Sequence, residues 1–136
     1  GLLVSGRMDH RILQVGAVMI LFNGLFGVLI ELAPMDAQGT PVTVPGIVHM
    51  VLAGLLVLTC IAALGAMAWG WRARRQYPTF TRTTLALLAV MLVSGALAAM
   101  ASAQSLPLMG LYQRLTIGSY LIWIAALATI EARATR

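Results

Sequence analysis

The sequence predicts an all-α integral membrane protein, a bundle of four antiparallel transmembrane helices. Hydrophobic residues make up 60% of the chain and charged residues only 10%, whereas a soluble domain carries about 25% charged residues. The mean hydropathy is +0.92, and the apolar residues are gathered into four runs. So few charges could not cover the surface of a soluble protein, but lipid tolerates such a surface. We therefore treat residues 1–136 as a single membrane domain.

All four apolar runs are long enough to cross a bilayer, which takes about 20 residues in a helix. They lie at about 12–32, 47–69, 83–103 and 111–130. Barrel strands would be about 10 residues long and alternate in polarity, so these continuous runs predict helices. An outer loop at 33–46 follows the first span, and a cytoplasmic Arg-rich loop at 70–82 follows the second.

The arginines predict the orientation of the bundle. All nine basic residues are arginine and the net charge is +5. Eight of the nine lie before the first span, in the 70–82 loop or after the last span, and only Arg114 lies at the opposite end. The positive-inside rule then places both chain ends in the cytoplasm. Basic residues at membrane borders contact anionic headgroups, so we expect membrane lipids as partners and no nucleic acid.

Small and polar residues recur on one face of each of the first two spans. The first face is made of Gly16, Asn23, Gly27 and Glu31, and the second of Thr59, Ala63, Ala66 and Gly70. Small residues let helices approach closely in lipid, so these faces are predicted to pack. Trp69, Trp71 and Tyr77 are predicted to form an aromatic belt at the inner border, whereas Trp123 lies inside the fourth span.

Polar residues from three segments are predicted to meet at the outer end. The stretch APMDAQGTPVTVPGIVH, residues 33–49, contains Asp36 and His49, and Glu31 comes just before it. Arg114 opens the fourth span at the same depth. The candidate ligand-binding cluster is Glu31, Asp36, His49 and Arg114, with supporting polar residues Asn23, Gln104, Tyr112 and Gln113.

Each of these residues also has an ordinary structural role. Glu31 can be solvated at the interface, Asp36 can brace the loop through backbone N–H groups, and His49 can hydrogen-bond a neighbouring helix or loop. Arg114 can reach outer headgroups or pair with a carboxylate. Three functions therefore stay open: binding or sensing a lipid or small molecule at the outer face, a structural or assembly role without a ligand, and a membrane enzyme or metal site that uses His49 and Asp36.

Several kinds of chemical site lack the residues or the residue spacing that they require. A bis-histidine haem site needs two histidines in the bundle, and only His49 lies there. A zinc hydrolase usually needs three protein ligands; His49, Asp36 and Glu31 could supply them, but no spacing motif supports such a site. Cys60 is the single cysteine, so it forms no internal disulfide and no Cys-rich metal site. We predict no metal and no cofactor, and favour a protein that is not an enzyme.

Two stretches together resemble a known family. ELAPMDAQGTPVTVPGIVH has a Pro-x-Asp turn, a short loop and a Gly-x-x-His helix start, and GLYQRLTIGSYLIWIAAL opens Gly-Leu-x-x-Arg-Leu with a Trp midway. This pattern resembles the prokaryotic membrane family called domain of unknown function 998. The matching positions are Pro34, Asp36, His49 and Arg114, whereas Ala33 replaces the family's aromatic residue and Gln113 its acidic residue.

The resemblance implies an architecture and no mechanism, because the family is itself uncharacterised. It implies a bundle of six to seven helices, of which this chain would be the last four. The missing N-terminal helices of the same protein would then be partners of these four. The resemblance also implies the cytoplasmic membrane of a prokaryote as the location.

Overall fold

A computed structural model describes residues 11–37, 39–75, 77–104 and 106–134, so Arg7 and Arg136 of the orientation argument lie outside the described residues. This part of the chain forms four helices: α1 (Arg11–Ile30), α2 (Val44–Arg74), α3 (Pro78–Ala103) and α4 (Met109–Ala134). All four are long and apolar enough to cross a membrane. The predicted all-helical membrane class is confirmed.

The bounds of α2 follow its caps rather than its hydropathy. Thr43 is the N-cap, and its hydroxyl accepts a hydrogen bond from the Gly46 N–H at 3.3 Å. At the other end Arg75 adopts a left-handed conformation with φ 55°, and its N–H bonds the Arg72 carbonyl. Left-handed residues typically end helices in this way. The α2 helix therefore extends beyond the predicted apolar span at both ends, and only residues 75–77 separate it from α3.

The helices form two antiparallel hairpins that meet through α2 and α3. α1 packs mainly on α2, α4 packs mainly on α3, and α2 packs on α3. The core between them includes the fully buried side chains of Leu64, Met67 and Trp123. We call the end that carries residues 31–43 the Pro-rich end, and the end that carries residues 75–77 the Arg-rich end.

The two predicted small-residue faces do meet, but mainly towards the Arg-rich end. A Cβ at Gly16 would lie 2.9 Å from Met67 Cγ, and a Cβ at Gly70 would overlap Leu13. In contrast, a Cβ at Gly27 would meet nothing within 4 Å, and Glu31 lies beyond the end of α1 and is exposed. The prediction that these last two residues continue the packed face is therefore wrong, because close approach is confined to one part of the hairpin.

One of the residues predicted to form an aromatic belt at the Arg-rich end, Trp71, does not face lipid. Trp71 is only 4% exposed, whereas Trp69 is 66% exposed. Residues two apart on a helix point in nearly opposite directions, so only one of the two can face lipid. Trp71 instead packs on Phe80, with ring centroids 4.9 Å apart, and joins α2 to the start of α3.

Candidate functional site

Asp36 holds the start of α2 from within the preceding loop. Its carboxylate accepts hydrogen bonds from the Thr43 N–H at 2.8 Å and from the Thr43 hydroxyl at 2.6 Å. These two bonds favour the ionised form and lower the pKa of Asp36 below its ordinary value of 3.8. A negative charge near the N-terminus of a helix is also stabilised by the helix dipole. Asp36 thus orients the residue that caps α2.

Gly46 makes room for this carboxylate. A Cβ at this position would overlap the Asp36 side chain, although the glycine itself is in regular helix. The Asp of the Pro-x-Asp turn and the Gly of the Gly-x-x-His motif therefore lie next to each other in the structure. Thr43 and Gly46 were not among the predicted site residues. The sequence signal that could have identified them is the pair of polar residues, Asp36 and Thr43, in the loop before α2.

His49 closes the same hairpin one turn further into α2. Its Nδ1 lies 2.7 Å from the carbonyl oxygen of Ala33. A carbonyl oxygen can only accept, so Nδ1 carries a proton and donates it, and Nε2 takes no part in this bond. Ala33 is buried, so its carbonyl needs a hydrogen-bond partner, and His49 supplies it. We name the two links, Asp36 to Thr43 and His49 to Ala33, the hairpin clasp.

The other predicted members of the cluster do not join the clasp. Glu31 and Arg114 are exposed, and neither side chain forms a hydrogen bond or ion pair with the described part of the chain. Gln104 and Gln113 are exposed and Tyr112 is half-buried. Within residues 11–37, 39–75, 77–104 and 106–134, no group of three His, Cys, Asp or Glu residues is placed to hold a metal ion.

Asn23 joins α1 to α2 in the middle of the bundle. Its side-chain Nδ2 lies 3.0 Å from the Leu56 carbonyl oxygen, 3.1 Å from Thr59 Oγ1 and 3.0 Å from Cys60 Sγ. This amide is buried and its acceptors all belong to α2, so Asn23 is a helix-to-helix link rather than part of the cluster at the Pro-rich end.

Two further polar pairs join α3 to α4. The hydroxyls of Ser94 and Thr116 are 2.7 Å apart, and the indole N–H of Trp123 donates to Thr84 Oγ1 at 3.0 Å. All four residues are buried. Neither pair was predicted, although a Trp in the middle of a span is a signal, since a buried indole N–H needs a partner. Polar side chains therefore link helices in both hairpins.

These features define a polytopic α-helical membrane protein whose buried polar groups join its own helices. The sequence also matches the family described as Protein of unknown function (DUF998), over residues 1–130. The chain belongs to this family, and the resemblance seen in the two motif stretches is confirmed. Neither a curated protein nor a solved structure matches the chain.

Proposed function

We propose that the chain is a structural and assembly module of the membrane, in which the hairpin clasp fixes α1 against α2. The observation that carries this proposal concerns the two side chains of the 33–49 stretch that could bind a ligand or take part in catalysis. Both form hydrogen bonds within the hairpin. Asp36 binds Thr43, and His49 binds the Ala33 carbonyl. A site built for a ligand would present these groups to the ligand.

The surfaces of the helices support a role in assembly. In an apolar 18-residue segment of each helix, between 22% and 28% of the residues are buried within the chain. The remaining surface faces lipid or further helices, and α1 and α4 each pack mainly on one neighbour. Preceding helices of the same protein, expected from the resemblance, would cover part of this surface.

The decisive experiment compares His49→Ala with His49→Asn. The Asn amide can donate to the Ala33 carbonyl much as Nδ1 does, but it offers nothing in place of Nε2. We expect His49→Ala to lower the free energy of unfolding by about 1 kcal/mol, the typical net contribution of one hydrogen bond, and His49→Asn to recover most of it. Unfolding of the purified protein in mixed micelles of increasing SDS content measures both.

Met50→Ala, a change at an exposed neighbour on α2, is the matched control and should leave stability nearly unchanged. Unchanged stability in His49→Ala would overturn the clasp. Loss of a co-purifying ligand or metal in both His49 variants, with His49→Asn as stable as the wild type, would show that Nε2 serves a site and would favour the enzyme or metal alternative.

A second candidate function, lipid binding at the Pro-rich end, has one observation in its favour. A groove of about 360 Å³ lies between α3 and α4 in the half of the bundle nearer that end. Its lining is almost wholly apolar: Ala89, Val90, Val93, Ser94, Leu97, Tyr112 and Leu115. Such a groove suits part of an acyl chain, and the exposed Arg114 at the same end suits a lipid phosphate.

Lipid analysis of the purified protein tests this candidate. If it is correct, Arg114→Ala removes a lipid that co-purifies with the wild type, because the headgroup loses its cation. Arg133→Ala, at the opposite end of α4, is the control and retains the lipid. Identical lipid content in wild type and Arg114→Ala would leave the structural role as the function that the hairpin supports.

A further inference from the structure

A second cavity lies at the Arg-rich end, where α2 ends and α3 begins. It measures about 520 Å³ and is lined by Trp71, Arg72, Arg75, Pro78, Thr81, Arg82 and Leu85. Trp71 and Thr81 are buried, whereas the three arginines are exposed. The cavity is far from the hairpin clasp, which lies at the other end of α2.

The charge of this cavity is of one sign. Three guanidinium groups line it, and no carboxylate of the described residues does. Nor does any of the three arginines form an ion pair within the part of the chain that the structure describes. α3 also begins here, at Pro78, and the N-terminus of a helix carries a partial positive charge. An anion would therefore be attracted to this cavity.

Thr81 supplies an independent observation. Its hydroxyl is buried, in a residue only 6% exposed, and is the one buried side-chain N or O atom in the described residues without a hydrogen-bond partner. Other threonines of these helices satisfy their hydroxyls on the carbonyl four residues back, as Thr83 and Thr84 do. For Thr81 that carbonyl belongs to Tyr77, which precedes the helix in a left-handed conformation with φ 47°, and the Thr81 hydroxyl does not bond it.

A buried hydroxyl without a hydrogen-bond partner costs folding free energy, because it has lost its hydrogen bonds to water. This cost disappears if a ligand atom in the cavity bonds the Thr81 hydroxyl. A phosphate oxygen meets the requirement, because it accepts from a hydroxyl and pairs with guanidinium groups in a bidentate way. The donor set of three arginines and one threonine is thus the set that a phosphate group needs.

The apolar walls indicate what carries the phosphate. Trp71 and Leu85 line the cavity next to the arginines, and Leu85 lies inward from Pro78 along the spanning helix α3. Basic pockets between transmembrane helices bind the headgroups of anionic lipids. We propose that this cavity binds the phosphate of an anionic phospholipid through Arg72, Arg75, Arg82 and the Thr81 hydroxyl, with the acyl chains lying along Leu85.

Native mass spectrometry of the purified chain, titrated with phosphatidylglycerol or phosphatidylcholine of the same acyl chains, tests the proposal. We expect phosphatidylglycerol to bind more tightly. Arg82→Gln should weaken its binding about five-fold, the contribution of one basic residue near an anionic headgroup. Thr81→Val should weaken binding about three-fold, since it removes one hydrogen bond, while the lipid-free protein stays as stable as the wild type or becomes more stable.

The matched controls lie at the same end but outside the cavity. Arg133→Gln and Thr79→Val, both at exposed residues, should retain wild-type binding. Equal weakening by Arg133→Gln and Arg82→Gln would show general attraction to a basic surface and would overturn the site. Binding that Thr81→Val leaves unchanged would also overturn it. Inorganic phosphate that binds as tightly as the lipid would overturn the assignment to a phospholipid.

Discussion

Asp36 binds the residue that caps α2 rather than the helix itself. The Thr43 hydroxyl donates to the carboxylate and accepts from the Gly46 N–H, so one short chain of hydrogen bonds runs from the loop into the helix. A capping side chain contributes about 1 kcal/mol to helix stability. Because the carboxylate fixes the orientation of the cap, the charge of Asp36 bears on the stability of the whole hairpin.

This charge predicts a dependence of stability on pH. The pKa of Asp36 is lowered in the folded state by the two bonds from Thr43, so the contribution of Asp36 is complete above its ordinary pKa of 3.8. It is lost as the pH falls through the lower folded pKa, since the unfolded chain takes up the proton first. Thermal unfolding of the wild type should therefore show a midpoint that falls as the solution is acidified below about pH 4.

Asp36→Asn should be less stable than the wild type at neutral pH and should lose this acid-dependent fall. Glu31→Gln is the matched control, because Glu31 is an exposed residue of the same loop region whose carboxylate forms no hydrogen bond with the described residues. This control should keep the fall in midpoint. An Asp36→Asn variant that retains the wild-type pH profile would contradict the role of the Thr43 bonds.

At the scale of the helices, hydropathy and capping mark different boundaries. α2 has 31 residues, which at about 1.5 Å per residue is about 46 Å, whereas the hydrocarbon core of a bilayer is about 30 Å thick. The helix must tilt or extend into the headgroup region. Its last turns, with Trp71 and Arg72, extend the hairpin towards the Arg-rich end and form one wall of the basic cavity.

The close packing of α1 on α2 depends on glycine, which has no side chain. A Cβ on Gly70 would overlap Leu13 and lie 3.3 Å from Ile12 Cγ2. Gly70→Ala should therefore lower the free energy of unfolding by about 1–3 kcal/mol, the usual cost of overpacking, as measured by SDS titration. Gly54→Ala is the control on the same helix, because a Cβ there would meet nothing within 4 Å.

Gly54→Ala should be neutral or slightly stabilising, since alanine restricts the unfolded chain more than glycine does. If both variants behaved alike, the close approach of the two helices near Gly70 would be refuted. A third variant, Leu13→Ala combined with Gly70→Ala, should recover part of the loss relative to Leu13→Ala alone, because the new methyl group then has space.

At the scale of the whole molecule, the sequence predicts the class and the approximate spans, because length and hydropathy decide whether a segment enters lipid. It also isolates Asp36 and His49, since a turn and a helix start need particular residue types. It does not predict that Asp36 binds Thr43 or that His49 binds the Ala33 carbonyl, because these pairings depend on the path of the loop. It likewise misses Thr84 with Trp123 and the unpartnered hydroxyl of Thr81, which depend on how helices distant in sequence pack.

The orientation of the bundle is still a prediction, and it can be tested with the one native cysteine as an internal reference. Cys60 is buried, so it should react little with a maleimide that cannot cross the membrane. The arginines at the Arg-rich end favour the cytoplasmic side. In intact cells, Thr40→Cys in the exposed loop of the Pro-rich end should be labelled, whereas Thr79→Cys at the Arg-rich end should be labelled only after the cells are permeabilised.

Wild type and Cys60→Ala give the background labelling in this experiment. Labelling of Thr79→Cys but not Thr40→Cys in intact cells would show that the bundle has the opposite orientation. An inverted bundle would place the clasp in the cytoplasm and the phosphate cavity against the outer leaflet, so the same labelling decides which leaflet must supply the lipid.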